Sequence, residues 1–410
     1  MAKLSLKKSL SLVDATAISL GAIIGAGVFV LLGNTIDLAG PAAMLSIVVG
    51  FFVAALTALS FSELSVFLPR EGGAYEFAHE LVGPFAGFVT GFLWLFSNIV
   101  ACAVLALGFS SYLSALVPLP ANAVAFAICC ALTLVNLAEV KRVAALNNAL
   151  VGVKLLTLFF FVVVGLLSFN VSRFTPFAPN GLPGVLTGAA IFFFAFGGFA
   201  RITTASQEVK NARENVPKAI LFSLGISFVL YFAVAVVAVG LSRPGMSTSS
   251  GFLAQEISST GISGAFEVVS IGALAAIASV LLTTILGASR VLYAMARNRE
   301  APQILFEVSS TRVPSKAVLF VGLVAGIISL SGDLFFVASV SSFAMLAYYG
   351  AANYSVLKLR HTRLPKLVPL LGLLSCAVLA LSLPVQSIIL GLAATFTAAV
   401  FYYCSCARKR

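Results

Sequence analysis

Long apolar stretches alternate with short polar joints along almost the whole chain. Stretches of about 20 mostly apolar residues, the length that crosses a bilayer core, occupy 11–36, 41–68, 84–115, 120–138, 145–169, 184–207, 218–241, 263–289, 315–331, 334–357, 367–383 and 386–404. The joints carry turn residues or charge: Gly40-Pro41, Pro69-Arg70-Glu71-Gly72-Gly73, Pro118-Leu119-Pro120, Pro176 to Pro183, Arg243-Pro244-Gly245 and Ser331-Gly332-Asp333. Apolar runs of this length are helices rather than strands. The pattern predicts an all-α polytopic membrane protein of about twelve transmembrane helices, forming one membrane domain.

Composition supports that reading. Of 410 residues, 60% are apolar and 10% charged, against about 45–50% and about 25% in soluble chains. A cytosolic enzyme, a secreted domain and a disordered chain are excluded. The net charge of +11 points to membrane orientation rather than to nucleic acid. With the N-terminus in the cytoplasm, inside segments hold 22 of the 25 basic residues, among them Lys3, Lys7, Lys8, Arg70, Lys141, Arg142, Arg201, Lys210, Arg312, Lys366, Arg408, Lys409 and Arg410. Outside segments hold Arg173 and Arg243, and Lys154 sits inside a span. The bias places both termini in the cytoplasm, in the cytoplasmic membrane. Lys3, Lys7 and Lys8 before an apolar run imitate a signal peptide, but no small-residue cleavage site follows, so the mature protein is expected to start at residue 1. The six cysteines have no metal-ligand or redox spacing and read as small buried hydrophobes. Cys404 and Cys406, near the tail, are weak candidates for acylation.

Two spans are interrupted in corresponding places. The first contains Gly21, Gly25 and Gly27 within seven residues, and the sixth contains Gly197-Gly198 inside an aromatic run. Each glycine weakens a helix by about 1 kcal/mol relative to alanine. A Gly-x-x-x-Gly packing contact through Gly21 and Gly25 is the alternative for the first span. The two breaks lie five spans apart in order, in the first and the sixth. Five is odd, so the second set enters the membrane from the opposite side. Glycine-interrupted segments in two inverted halves point to the substrate site of a secondary transporter.

The dipoles of such breaks name a ligand. The second half of the first span would begin near the midplane with N–H groups at about Ala26 to Phe29, which suits a carboxylate. The first half of the sixth would end there with C=O groups at about Phe194 to Phe196, which suits an ammonium. Together they describe the backbone of an α-amino acid. The candidate substrate-binding residues are Ile23, Ile24, Gly25, Ala26, Gly27, Phe194, Ala195, Phe196, Gly197 and Phe199. Neither break contains Asp, Glu, Lys or Arg, so a neutral amino acid is expected.

Four segments then resemble a known family. Gly21 to Phe29, Phe67 to Tyr75, Glu208-Val209-Lys210-Asn211 with Pro217-Lys218-Ala219-Ile220, and Ser289 to Arg297 look like the recurring segments of the amino acid–polyamine–organocation transporters. The match runs from the first span through the ninth. The resemblance implies a five-plus-five inverted-repeat fold, with repeats over 11–169 and 184–357 and two extra helices over 367–404. It also implies an amino acid held by the unwound parts of the first and sixth helices.

Ionisable groups inside the membrane are functional candidates by default. Lys154 lies roughly 14 Å along its span, counted from about Ala145 at 1.5 Å per residue, which is deep for snorkelling. The resemblance adds that some proton-coupled family members carry a lysine at this point, where its ammonium fills the place of sodium. The expected ion-coupling set is Lys154 with Gly21 of the first span and Ser279 and Thr283, four residues apart on one face of the eighth. The hydroxyls have the ordinary alternative of bonding their own i−4 carbonyls. Asp14, Glu63 and Glu208 are candidates for ion pairs with Arg201 or Lys210 near the cytoplasmic side, where interfacial pairs are also common. His79 and His361 fall in loops, and Glu267 is too shallow for a central carboxylate.

The expected activity is alternating-access permeation of an amino acid, with H⁺ as partner ion and no cofactor. An exchanger or facilitator without ion coupling is the nearest alternative, and a channel the next. An intramembrane hydrolase lacks its nucleophile–base pair or metal ligands, and no nucleotide loop exists for ATP-driven transport.

Overall fold

The first helix, α1 (Leu12–Ile23), opens on a capping box. The Ser11 hydroxyl accepts from Asp14 N–H at 3.3 Å, and Asp14 Oδ2 accepts from Ser11 N–H at 2.9 Å. Asp14 thus caps the start of a helix. The computed structural model describes residues 10–25, 27–68, 73–137, 140–242, 251–308 and 313–407, with the backbone alone at 140–146, 148, 204–208 and 405–407. Ala26, the Pro69 to Gly72 joint, Lys3, Lys7, Lys8, Arg70, Arg243, Arg312 and Arg408 to Arg410 lie outside the described residues, as do the side chains of Lys141, Arg142, Glu208 and Cys406.

After α1 the chain forms a π-helical turn (Gly27–Leu31), α2 (Leu32–Ala39), α3 (Ala43–Phe67), α4 (Ala74–Leu81), α5 (Pro84–Leu116), α6 (Ala121–Val135) and α7 (Val140–Leu166). Helix α8 (Gly181–Phe192) passes into two 3₁₀ segments, Phe193–Phe196 and Phe199–Glu208. Then come α9 (Ala212–Leu241), α10 (Phe252–Ser258), α11 (Ala265–Arg297), α12 (Ser315–Ser329), α13 (Leu334–Leu357), α14 (Leu367–Leu381) and α15 (Val385–Ala407). Among the described residues, strand-like pairing is confined to an isolated bridge between Leu10 and Val209.

Eight stretches among these residues are long and apolar enough to cross a membrane. The first, Leu12–Phe67, contains both the first break and the turn at Gly40, whose φ of +64° suits glycine before Pro41. Three apolar helices, α6, α12 and α14, are shorter. Each has 15 residues, about 22 Å at 1.5 Å per residue, less than the ~30 Å hydrocarbon thickness. Helices α5 and α11, with 33 residues each, are about 50 Å long and outrun it. Apolar side chains face outward on α7 and α15, for example Leu156 and Phe396, each 71% exposed. Water would penalise that surface and lipid does not.

The two interrupted segments sit inside the bundle. Helix α5 packs along α11 and α13, α3 along α8 and α9, α1 along α9, and α7 along α11. The π-helical turn after α1 meets the first 3₁₀ segment after α8.

Candidate substrate site

The breaks touch through their small residues. A Cβ on Gly27 would lie 2.1 Å from the Ala195 Cβ and 2.3 Å from its Cα, and one on Gly198 would lie 2.3 Å from the Ala22 carbonyl carbon. Each break therefore uses a glycine to admit the other's backbone, and any side chain there forces the two apart. Gly25 has a different neighbour: its Cβ would meet the Val280 side chain on α11 at 2.1 Å.

Ending α1 at Ile23 orphans its last carbonyls, which need donors in a dry interior. Side chains from other helices supply them. The Lys154 amine on α7 donates to Gly21 O at 2.7 Å, and the Tyr231 hydroxyl on α9 donates to Ile23 O at 2.7 Å. Tyr231 also stands 3.3 Å from Ala195 O, so one phenol spans both breaks. Tyr349 donates to Gly197 O at 2.8 Å and Tyr112 to Phe29 O at 2.8 Å. Some of the carbonyls expected to await an ammonium are thus already engaged: Phe194 O accepts from Gly197 N–H at 3.1 Å, and Ala195 O faces Tyr231.

A cavity of about 50 Å³ lies where the breaks meet. It has room for a few waters. Of the expected residues, Ile23, Gly27, Phe194, Ala195 and Gly197 line it. Ile24, Gly25, Phe196 and Phe199 are buried beside it without reaching it.

The 3₁₀ pitch explains that division. With three residues per turn, positions i and i+3 eclipse. Phe193, Phe196 and Phe199 form one row and pack into an aromatic core: Phe196 is 5.5 Å from the Tyr231 ring, and Phe193 and Phe199 are 5.8 and 5.1 Å from Tyr349. The rows Phe194–Gly197–Ala200 and Ala195–Gly198–Arg201 line the cavity. Phe196 and Phe199, expected among the substrate-binding residues, pack against Tyr231 and Tyr349 instead of lining the cavity.

Arg201 requires a correction. It falls within the apolar stretch Gly181–Thr203 and on the cavity wall, not among the cytoplasmic cations. Its Nη1 donates to Thr283 Oγ1 at 3.1 Å and its Nη2 to Thr284 Oγ1 at 2.6 Å, both on α11. A cation therefore borders the cavity although neither break contains one. Trp94, Ser97 and Asn98 of α5, Thr284 of α11 and Met345 and Tyr348 of α13 complete much of the wall. The one signal in the sequence for Arg201 is its spacing of three from Gly198 and six from Ala195.

The ion-coupling set is only partly assembled. Lys154 is fully buried and reaches Gly21. Ser279 donates instead to Asn147 Oδ1 of α7 at 2.7 Å. Thr283 bonds the i−4 carbonyl of Ser279 at 3.1 Å while accepting from Arg201. Glu63 accepts from the Arg363 backbone N–H.

Residues 14–406 match the model of the amino acid permease family. An uncharacterised transporter of Mycobacterium tuberculosis is 36% identical over 95% of this chain and 89% of its own. The branched-chain amino acid permease of Bacillus subtilis is 29% identical over 92% of this chain and 89% of its own. Cationic amino acid transporter 4 of Mus musculus is 30% identical over 87% of this chain and 60% of its own. These relatives are transporters and permeases, not enzymes. The chain is an integral membrane protein and belongs to the amino acid permease family.

Proposed function

We propose that this permease carries an α-amino acid across the cytoplasmic membrane by alternating access, bound between the two breaks and driven by H⁺ through Lys154. The observation that carries the reading is the mutual seating of Gly27 on Ala195 and Gly198 on Ala22 beside a cavity that both breaks line. Small shifts of either segment would open or close that cavity. In this reading the spans number twelve, with α6, α12 and α14 crossing and Leu12–Phe67 crossing twice. The termini are cytoplasmic and the two halves are inverted repeats.

The substrate carries no cationic side chain. No Asp or Glu lines the cavity among the described residues, so a buried ammonium there would lack a counter-charge. The expectation of a neutral side chain rests on breaks without charged residues, and Arg201 on the cavity wall widens it to neutral or anionic.

Lys154 supports coupling because its charge sits against the negative end of α1. Loss of its proton would weaken that tie and shift the balance between outward-open and inward-open forms. A permanently charged Lys154 would instead suit an uncoupled exchanger. Uptake of labelled amino acid into proteoliposomes under an inward pH gradient, with and without sodium, separates them. Accumulation that follows the pH gradient and ignores sodium is expected, and a strict sodium requirement would overturn the assignment.

A further inference from the structure

Helix α5 turns one face to the cavity, with Trp94, Ser97, Asn98, Ala101 and Leu105 recurring every three or four residues along it. Two hydroxyls of the wall already have their protons placed. Ser97 donates to Ser341 O of α13 at 3.0 Å, and the Ser341 hydroxyl returns a 3.0 Å bond to Ser97 O. Thr284 donates to Val280 O at 2.7 Å and accepts from Arg201 at 2.6 Å.

Asn98 is differently placed. It stands near the middle of α5, half-buried, and its Nδ2 donates to Trp94 O at 2.8 Å. A carbonyl only accepts, so this bond sets the amide with its nitrogen toward Trp94 and its Oδ1 away. A carboxamide has two N–H donors and two lone pairs, and one donor is engaged here. Among the described residues no protein group takes Oδ1 or the second N–H. Unmet capacity at such a depth favours a ligand that satisfies it. The amide is neutral and can both give and take a hydrogen bond. A hydroxyl or a primary amide matches it on both counts, whereas an aliphatic group of the same shape leaves it unpaired.

We propose that Asn98 reads the substrate's side chain, so that the site selects α-amino acids whose side chain carries a neutral hydroxyl or amide. This rests on the amino acid site proposed above, in which the backbone of the breaks takes the α-amino and α-carboxylate groups. Asn98 is then a specificity-determining residue of the cavity wall.

Threonine against valine and asparagine against leucine are the discriminating pairs, because each pair shares a branched shape and differs in hydrogen bonding. Proteoliposomes holding the full chain, preloaded with mixed unlabelled amino acids, are assayed for uptake of each labelled compound. The wild-type protein is expected to prefer the polar member of at least one pair by about tenfold or more. Asn98→Leu keeps the branched shape, and Trp94 O keeps its helical N–H partner, so no backbone group is orphaned. This variant is expected to bring the ratio within the preferred pair close to one. A wild-type protein that takes the apolar member of both pairs as well as or better than the polar member overturns the inference without any variant. So does an Asn98→Leu protein in which both uptakes fall in parallel and the ratio stays, which would mean that Asn98 holds a group common to both or supports the fold. If the wild type exchanges none of a full amino acid panel, the amino acid site itself fails. Exchange confined to amino acids outside the two pairs leaves that site standing and removes only the role of Asn98.

Discussion

The Lys154 amine on α7 donates a 2.7 Å hydrogen bond to the Gly21 carbonyl, one turn before α1 breaks. The carbonyl is an orphan of the helix end, and the ammonium complements the negative pole there. A charge-assisted bond of this kind contributes about 1.5–3 kcal/mol. Lys154→Ala is expected to reduce accumulation under an inward pH gradient to the level seen without one. Gradient-driven uptake that survives unchanged in this variant would remove Lys154 from the coupling mechanism.

Tyr231 ties the breaks to α9 and to each other. Tyr231→Phe keeps the ring that packs 5.7 Å from Phe192 and leaves Ile23 O buried without that donor. The expected cost is about 1–3 kcal/mol, read as a lower unfolding temperature in detergent together with weaker stabilisation by substrate. An unfolding temperature equal to the wild type would mean that Ile23 O finds another donor.

The glycines of the breaks act by permitting contact. Gly27→Ala drives a methyl into the Ala195 backbone and should lower substrate affinity by about tenfold or more, since misplacing a site group by an ångström is costly. Gly287→Ala on α11 meets nothing within 4 Å and should leave affinity unchanged, with stability equal or higher by up to about 1 kcal/mol. Equal affinities in the two variants would show that the breaks need not touch.

Away from the site, Tyr75 on α4 donates to both Glu300 carboxylate oxygens at 3.1 Å. Burial, and then the Glu300 charge, push the Tyr75 phenol above its ordinary range. The unfolded phenol ionises first, at about pH 10, so the stability from this bond is complete below that pH and declines above it. Tyr75→Phe should cost about 1 kcal/mol at neutral pH, and the gap between the two melting temperatures should narrow as pH rises beyond 10. A gap that widens with pH would reverse the sign of this contribution.

The breaks themselves were legible because glycine is costly inside a helix, so Gly25, Gly27, Gly197 and Gly198 advertise their purpose. Lys154 was legible because lipid makes a buried amine conspicuous. What hid was everything that depends on distant partners or on pitch. Tyr231 looks like any aromatic of a span until α9 is laid beside both breaks. Arg201 follows an apolar run and so imitates an interfacial cation; its partners Thr283 and Thr284 lie more than eighty positions later. Phe196 and Phe199 do not line the cavity, because the three-residue spacing of the segment turns their row away from it, a period the apolar pattern does not reveal.

Counterflow tests the carrier mechanism most directly. Proteoliposomes loaded with a high concentration of unlabelled amino acid are diluted into a trace of the labelled compound. A site that alternates between the two faces exchanges one for the other, so label should rise inside well above its external concentration and then decay. Label that merely equilibrates, with no overshoot for any amino acid tested, would show a pore or an unrelated substrate and would contradict alternating access at these breaks.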